Sequence, residues 1–474
     1  MVPRDTVAGL TGSGTRARFG KMLPGLKPYQ VPKKLIDKLA TRMREPDGGE
    51  DGALDHPDLP AGYTYFGQFL DHDLTFDPTS NLRRPNDPER LEDFRTPRLD
   101  LDAVYGSGPL DVPYLYDQAT GPRGALLLVG DSRAQFGAGF AAEDLPRNVQ
   151  GRALIGDPRN DENAIVAQLH LVFLKFHNRV ARTLLDGGHA GRRSGSGSGS
   201  GSGDPAEVFR EAQCVVRWHY QWMVVKDFLP RILPEGLADQ PRFFRFDGEP
   251  FMPVEFSVGA YRFGHSLVRP EYELNARAVD VQLFSAHPDP LDAGHLGGFR
   301  PLLDRLVIDW SLFLELGGAQ PQRARRLDRG LAGPLTSLPE DVAPPGDAGR
   351  SLAWLNLVRG RSMGLPSGQD VARALGVRPL ADRHLGLGGA PAPLWYYVLA
   401  EAETLGGGRR LGPVGGRIVA DVILGLLDAD PQSFLTADPG WTPFLGAEPG
   451  RFSLADLVAY ATDGRYGPAI AGGV

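Results

Sequence analysis

The chain reads as a series of helical patterns separated by long irregular stretches. In VPKKLIDKLATRM (31–43), Val31, Leu35 and Leu39 fall on one stripe with Lys residues mostly on the other faces, which predicts an amphipathic helix. From Asn163 to Leu185, Ile165, Leu169, Val172, Phe173, Phe176 and Val180 recur at intervals of three and four, a pattern that runs for about six turns. Residues 206–229 predict a second long apolar helix, stopped by Pro230. Further helices are expected at 350–360, 393–405 and 415–427. Alternating strand patterns are few and short, and LVIDWSLFLEL (306–316) fits either period. The expected fold class is mainly α, with long irregular loops, little β structure and no internal repeat. Ser194–Gly203 is a strict Ser-Gly alternation with no capacity to pack, so it reads as a flexible, engineered-looking linker within a domain and not as a boundary.

Composition narrows the function classes. The 474 residues, 42% hydrophobic and 23% charged, leave ample room for a buried core and exclude a disordered chain. A net charge of −7 argues against a nucleic-acid partner held by phosphate contacts. A single cysteine, Cys214, excludes an internal disulfide framework, a zinc ribbon and a CxxCH haem attachment. No stretch approaches the ~20 consecutive apolar residues of a membrane span. The first 30 residues hold no signal-like apolar run, so the expectation is a soluble protein, cytoplasmic or exported by a route not visible in the chain.

Four polar clusters stand out. Gln68, Asp71, His72 and Asp73 sit among the apolar residues of YFGQFLDHDLTF (65–76), and burying them is costly unless each finds a partner. The second cluster is Gly156-Asp-Pro-Arg159-Asn-Asp-Glu162-Asn163, where helix capping accounts for the carboxylates but not for Arg159. In the third, Tyr261-Arg262-Phe263-Gly264-His265-Ser266, Gly264 would let a large flat group approach the backbone. The fourth is LNLVRGRSMGLP (355–366). His170 and His177 share a helix face and lack an ExxH pattern, so they read as packing or hydrogen-bonded residues.

Together and in this order, the clusters resemble the animal-type haem peroxidases of the peroxidase–cyclooxygenase superfamily, bacterial members included. GQFLDHDLTFDP is similar to the distal-histidine motif, RFGHSL to the proximal-histidine motif, and LNLVRGRSMGLP to the stretch NxQRxRDHGLP, from which Val358, Gly360, Ser362 and Met363 depart. The resemblance implies an N-terminal extension over 1–50 packed on a haem peroxidase catalytic domain over 51–474. It implies that His265 is the axial ligand of haem iron, that Asn356 accepts its other ring N–H, and that Arg262 and Arg359 pair with the propionates. On the distal side it implies His72 as acid–base catalyst toward hydrogen peroxide, with Arg159 stabilising developing charge and Gln68 holding a water or halide. A ferryl iron and a porphyrin radical would then oxidise small anionic or aromatic reductants. Asp71 and Glu162 match the carboxylates that ester-link haem b. Asn163 stands where myeloperoxidase has a sulfonium-forming Met, which favours bromide, iodide, thiocyanate or phenols over chloride. A Ca²⁺ site is implied at Asp73, Thr96, the Arg98 carbonyl, Asp100 and Asp102, all hard oxygen donors.

The alternatives are a fatty-acid dioxygenase, a natural-product tailoring oxidase and a non-catalytic haem protein. The dioxygenases use a Tyr radical three residues before the proximal His, where this chain has Arg262. Tyr261 is four residues before it and is expected to point elsewhere.

Overall fold

The structure is a computed structural model that describes residues 17–46, 52–77, 86–119, 123–187, 204–285, 289, 291–340 and 351–467. The Ser-Gly run lies outside the described residues. Helices dominate among them: α1 (Lys33–Arg42), α2 (Gly62–Leu74), α3 (Ala164–Leu185), α4 (Pro205–Met223), α5 (Leu352–Ser362), α6 (Leu394–Leu405), α7 (Pro413–Ala429) and α8 (Leu454–Thr462), with shorter turns of helix between them. The described strands are at most six residues long, in one three-stranded and two two-stranded sheets. The architecture is mainly α, as the periodicity predicts.

The α3 helix starts where its sequence says it should. The Asn163 side chain caps it by accepting from the backbone N–H groups of Ile165 and Val166 (3.1 and 2.9 Å). Asp161 is no cap. Its carboxylate is held from two sides by the buried Arg147 guanidinium at 2.8 Å, because a carboxylate this deep needs a cation.

The helix predicted over 206–229 departs from expectation at its end. It passes through a π-helical turn at Val224–Phe228 and continues as Leu229–Ile232, with Pro230 inside it. The widened turn changes which carbonyls are asked for a donor, so the N–H that proline lacks is not missed there. The ambiguous 306–316 segment is neither helix nor strand but loop with 3₁₀ turns at Asp304–Leu306 and Trp310–Leu312.

The core forms where α2 runs between α3 and α4. Buried residues cover nearly all of its circumference, the mark of an internal helix. Phe69 stacks on Phe173 of α3 with ring centroids 4.5 Å apart and planes 2° from parallel, and Tyr220 of α4 sets its edge against both rings. Burying one such ring contributes up to about 3 kcal/mol, so the polar residues of α2 sit on a rigid rod.

Candidate active site

Three elements bring the predicted residues together. The α2 helix carries Gln68, Asp71 and His72. A 3₁₀ turn, Pro158–Asp161, carries Arg159 and Asn160 and leads through Glu162 into α3. Gly298 closes this turn: its N–H donates to Glu162 O, and a Cβ there would lie 1.9 Å from Asp161 O, so only glycine fits. The third element is an irregular run, Glu255–Gly259 followed by the 3₁₀ segment Ala260–Leu267, which presents Arg262 and His265.

Between them lies a cavity of ≈1070 Å³, at the upper end of ligand-pocket size, lined by Gln68, Asp71, His72, Glu162, Arg262 and His265 among others. His72 is buried, and its Nδ1 lies 2.8 Å from Asn160 Oδ1. The Asn160 amide nitrogen lies in turn 3.0 Å from His170 Nδ1. An amide oxygen can only accept, so this contact puts the His72 proton on Nδ1 and leaves Nε2 with a free lone pair. Burial first, and the Arg159 charge second, hold the His72 pKa down to about 3, so the ring is neutral at ordinary pH. Glu162 Oε1 lies 3.8 Å from His72 Nε2 and accepts from the Gln68 amide. Burial pushes the Glu162 carboxyl up to about 7, and raises Asp71 as well.

On the opposite wall, the Asn356 amide lies 2.8 Å from His265 Nδ1. Arg262 donates to Asn356 Oδ1 at 2.5 Å and to Ser257 O at 3.2 Å. With its oxygen turned to Arg262, the amide presents Nδ2 to the ring, the reverse of the expected acceptor role. A guanidinium competes for the amide oxygen more strongly than an imidazole N–H does. Among the described residues Arg262 has no carboxylate at ion-pair distance, and burial followed by the nearby Arg359 charge lowers its pKa to about 10. It is a cation facing a cavity and suited to an anion. A Cβ built on Gly264 meets nothing within 4 Å, so the turn that carries His265 is open on its cavity side.

Arg159 does not line the cavity. Its guanidinium pairs with Asp157 (2.8 Å), donates to the His72 carbonyl (3.1 Å) and lies 4.6 Å from the centroid of the Phe76 ring. The fully buried Asp157 carboxylate draws in both Arg159 and Arg95 (3.1 Å), which explains the displacement. Arg359 is likewise outside the lining and pairs with Asp77 at 3.2 Å. Tyr261, expected to point elsewhere, lines the cavity and donates to Gly67 O at 3.2 Å.

A second polar cluster sits behind α2. Carboxylate oxygens of Asp73, Asp100 and Asp102 all lie within 4.8 Å of one another. Asp73 Oδ2 accepts from Leu101 N–H and the Tyr220 hydroxyl, whereas Oδ1 is buried without a hydrogen-bond partner. Thr96 Oγ1 donates to both Asp100 oxygens at 2.9 Å, and the Arg98 N–H donates to Thr96 O within the same loop. Burial, then the Asp102 charge, pushes Asp100 up to about 7, and Asp73 rises for the same two causes. The cluster fits a hard cation, whose charge would relieve this mutual repulsion.

A sequence model described as animal haem peroxidase matches residues 83–384, well over half of the chain. The chain belongs to the animal haem peroxidase family. Membership implies a haem cofactor. Pig (Sus scrofa) thyroid peroxidase is 26% identical over 412 residues, which cover 78% of this chain and 41% of that protein. The chain thus spans about two-fifths of the length of that curated relative. Among solved structures, peroxidase A from Dictyostelium discoideum matches with a TM-score of 0.63 and 17% identity, over 92% of this chain and 95% of that one. A fatty acid alpha-dioxygenase from Arabidopsis thaliana matches with a TM-score of 0.59 and 14% identity, over 97% and 81%. The fold is that of the animal haem peroxidases. No described helix is long and apolar enough to cross a membrane.

Sequence patterning did not mark Asn160 or the link from His72 to His170. Asn160 stood inside a cluster attributed to helix capping. Its complete burial, visible only in the fold, distinguishes it from a cap.

Proposed function

We propose that the chain is a hydrogen-peroxide-dependent haem peroxidase that oxidises halides, thiocyanate or small aromatic donors. One observation carries the reading: two imidazoles from different elements, His72 buried and His265 half-buried, line one cavity, and each has its Nδ1 on an asparagine amide outside that lining. Haem bound between them would supply the iron at which peroxide is cleaved and would store the two oxidising equivalents released.

His265 would hold the iron through Nε2, with the Asn356 amide turned so that its oxygen takes the Nδ1 proton. Arg262 would then exchange the amide for a propionate, with Arg359 as a second cation nearby. His72 Nε2 would accept the proton of incoming peroxide and return it to the departing oxygen. Arg159 would act through its charge, which reaches His72, Asp71 and Glu162 without contact across the cavity. The Gln68 amide would orient a water or halide. Asp71 and Glu162, both in the lining, would supply the carboxylates of the haem esters. Asn163 cannot supply a sulfonium link, so bromide, iodide, thiocyanate and phenols are the expected donors in preference to chloride. Ca²⁺ would be held by Asp73, Asp100 and Asp102 with Thr96 and the Arg98 carbonyl, behind the helix that carries His72.

His72→Ala tests the mechanism. In stopped-flow mixing of the haem-loaded protein with peroxide, the rate of the first spectral change is expected to fall by about 10²–10⁴ while haem is retained. An unchanged rate would sink the assignment. The cavity position of Tyr261 favours a second reading, a lipid dioxygenase. That reading requires oxygen uptake with linoleate in the absence of a halide, and no uptake removes it.

A further inference from the structure

Tyr63 stands between two cavities. It is 2% exposed, lines the central cavity, and donates its hydroxyl to Asp227 Oδ2 at 2.7 Å. Asp227 Oδ1 accepts from Arg231 Nε at 2.9 Å, and the Arg231 guanidinium lies 4.3 Å from the centroid of the Tyr63 ring. Asp227 and Arg231 also line a separate groove of ≈890 Å³, together with His56, Lys226, Arg409 and Arg410. The phenol thus reaches the central cavity on one side, while its proton acceptor opens onto the groove on the other.

We propose that Tyr63 is a redox relay that passes one electron from an anionic phenolic donor, seated in this groove, to the peroxide-oxidised haem of the central cavity. The inference rests on the peroxidase reading above and extends it to donors that never enter the haem cavity.

Proton acceptors separate the tyrosines of the cavity. A tyrosine that gives up an electron must also lose its phenolic proton, and three tyrosines line the central cavity. Tyr261 donates to a backbone carbonyl and Tyr65 is hydrogen-bonded to the Tyr272 hydroxyl, neither of which is a base. Tyr63 alone among the three is bonded to a carboxylate. The Arg231 cation over its ring opposes a cationic ring, so electron and proton must leave together. In the first step Tyr63 gives an electron to the oxidised haem and its proton to Asp227, leaving a neutral phenoxyl radical and a carboxylic acid. In the second, the donor in the groove gives an electron to the radical, Tyr63 recovers its proton from Asp227, and the donor releases its own phenolic proton to water. The net change is one electron and one proton lost by the donor and one oxidising equivalent removed from the haem.

The groove's charge selects the donor. Arg231 is paired with Asp227, and Arg409 with Asp58 at 3.4 Å. That leaves Lys226 and Arg410 with Glu235 as the one remaining acid of the lining, a net positive surface suited to a phenol bearing a carboxylate.

The test uses the haem-loaded protein, about one equivalent of peroxide, freeze-quenched electron paramagnetic resonance and ring-deuterated tyrosine, with 4-hydroxyphenylpropionate as donor. Wild type is expected to give a tyrosyl signal that narrows on deuteration and is discharged by the donor. The signal should fall about tenfold in both Tyr63→Phe and Asp227→Asn, the latter keeping the phenol and the shape of its partner. A signal that persists in Tyr63→Phe overturns the relay. So does a wild-type haem band that responds to peroxide with no tyrosyl signal, and there the peroxidase reading stands. A haem band indifferent to peroxide overturns both.

Discussion

His72 owes its orientation to a residue that takes no part in the chemistry proposed for it. Asn160 accepts the Nδ1 proton with one end of its amide and meets His170 with the other, so the imidazole is held with its basic nitrogen toward the cavity. Asn160→Ala is expected to slow the peroxide step about 10–100-fold by freeing the ring, with haem content unchanged, and Asn160→Asp to recover part of that loss. A purely structural role would lower stability and leave the pH profile of the peroxide step unmoved, so that profile is the readout. Most residues of the site were legible in the sequence because they cluster: four polar groups within six positions of an apolar helix cannot be ordinary surface. Asn160 and His170 were not legible, since their partnership needs a turn and a helix to be folded together. Nor was the retreat of Arg159 toward Asp157, whose burial no local pattern reveals.

At the scale of elements, periodicity placed the long helices to within a few residues, and α3 begins at the asparagine that caps it. It failed where the backbone departs from a single period: the π turn that carries the chain past Pro230, and the loop over 306–316. The segment that carries His265 belongs to the same class. It is an irregular run whose value lies in the open face at Gly264, and φ there is not in the left-handed region, so a larger residue can adopt it. Gly264→Leu is therefore expected to fold with an unchanged far-ultraviolet circular dichroism spectrum while losing haemin uptake by about tenfold or more, because its side chain projects into the space the cofactor needs. Normal haemin binding by this variant, measured by titration of the Soret band, would mean that the flat group does not lie on this turn.

For the whole molecule, the central cavity and the acidic cluster are two sites joined by one helix. His72 and Asp73 are neighbours, one lining the cavity and the other joining Asp100 and Asp102 in the acidic cluster, so a cation behind α2 would stiffen the wall that carries the His72 imidazole. If Ca²⁺ binds there, chelation should remove about 2.7 kcal/mol of stability relative to a Ca²⁺ concentration a hundredfold above Kd. The check is a thermal melt with and without chelator, with recovery by Ca²⁺ and not by Mg²⁺, which demands a tighter octahedral site. A melt indifferent to chelator would assign the cluster to protonated carboxyl groups instead. A peroxidase haem site between His72 and His265 would show itself in the visible absorption spectrum of the purified protein, taken before and after about one equivalent of hydrogen peroxide. A strong Soret band is expected, one that changes within milliseconds and recovers when iodide or a phenol is added. A Soret band that ignores peroxide would contradict the proposed chemistry, and the absence of any band after haemin is supplied would contradict the cofactor assignment itself.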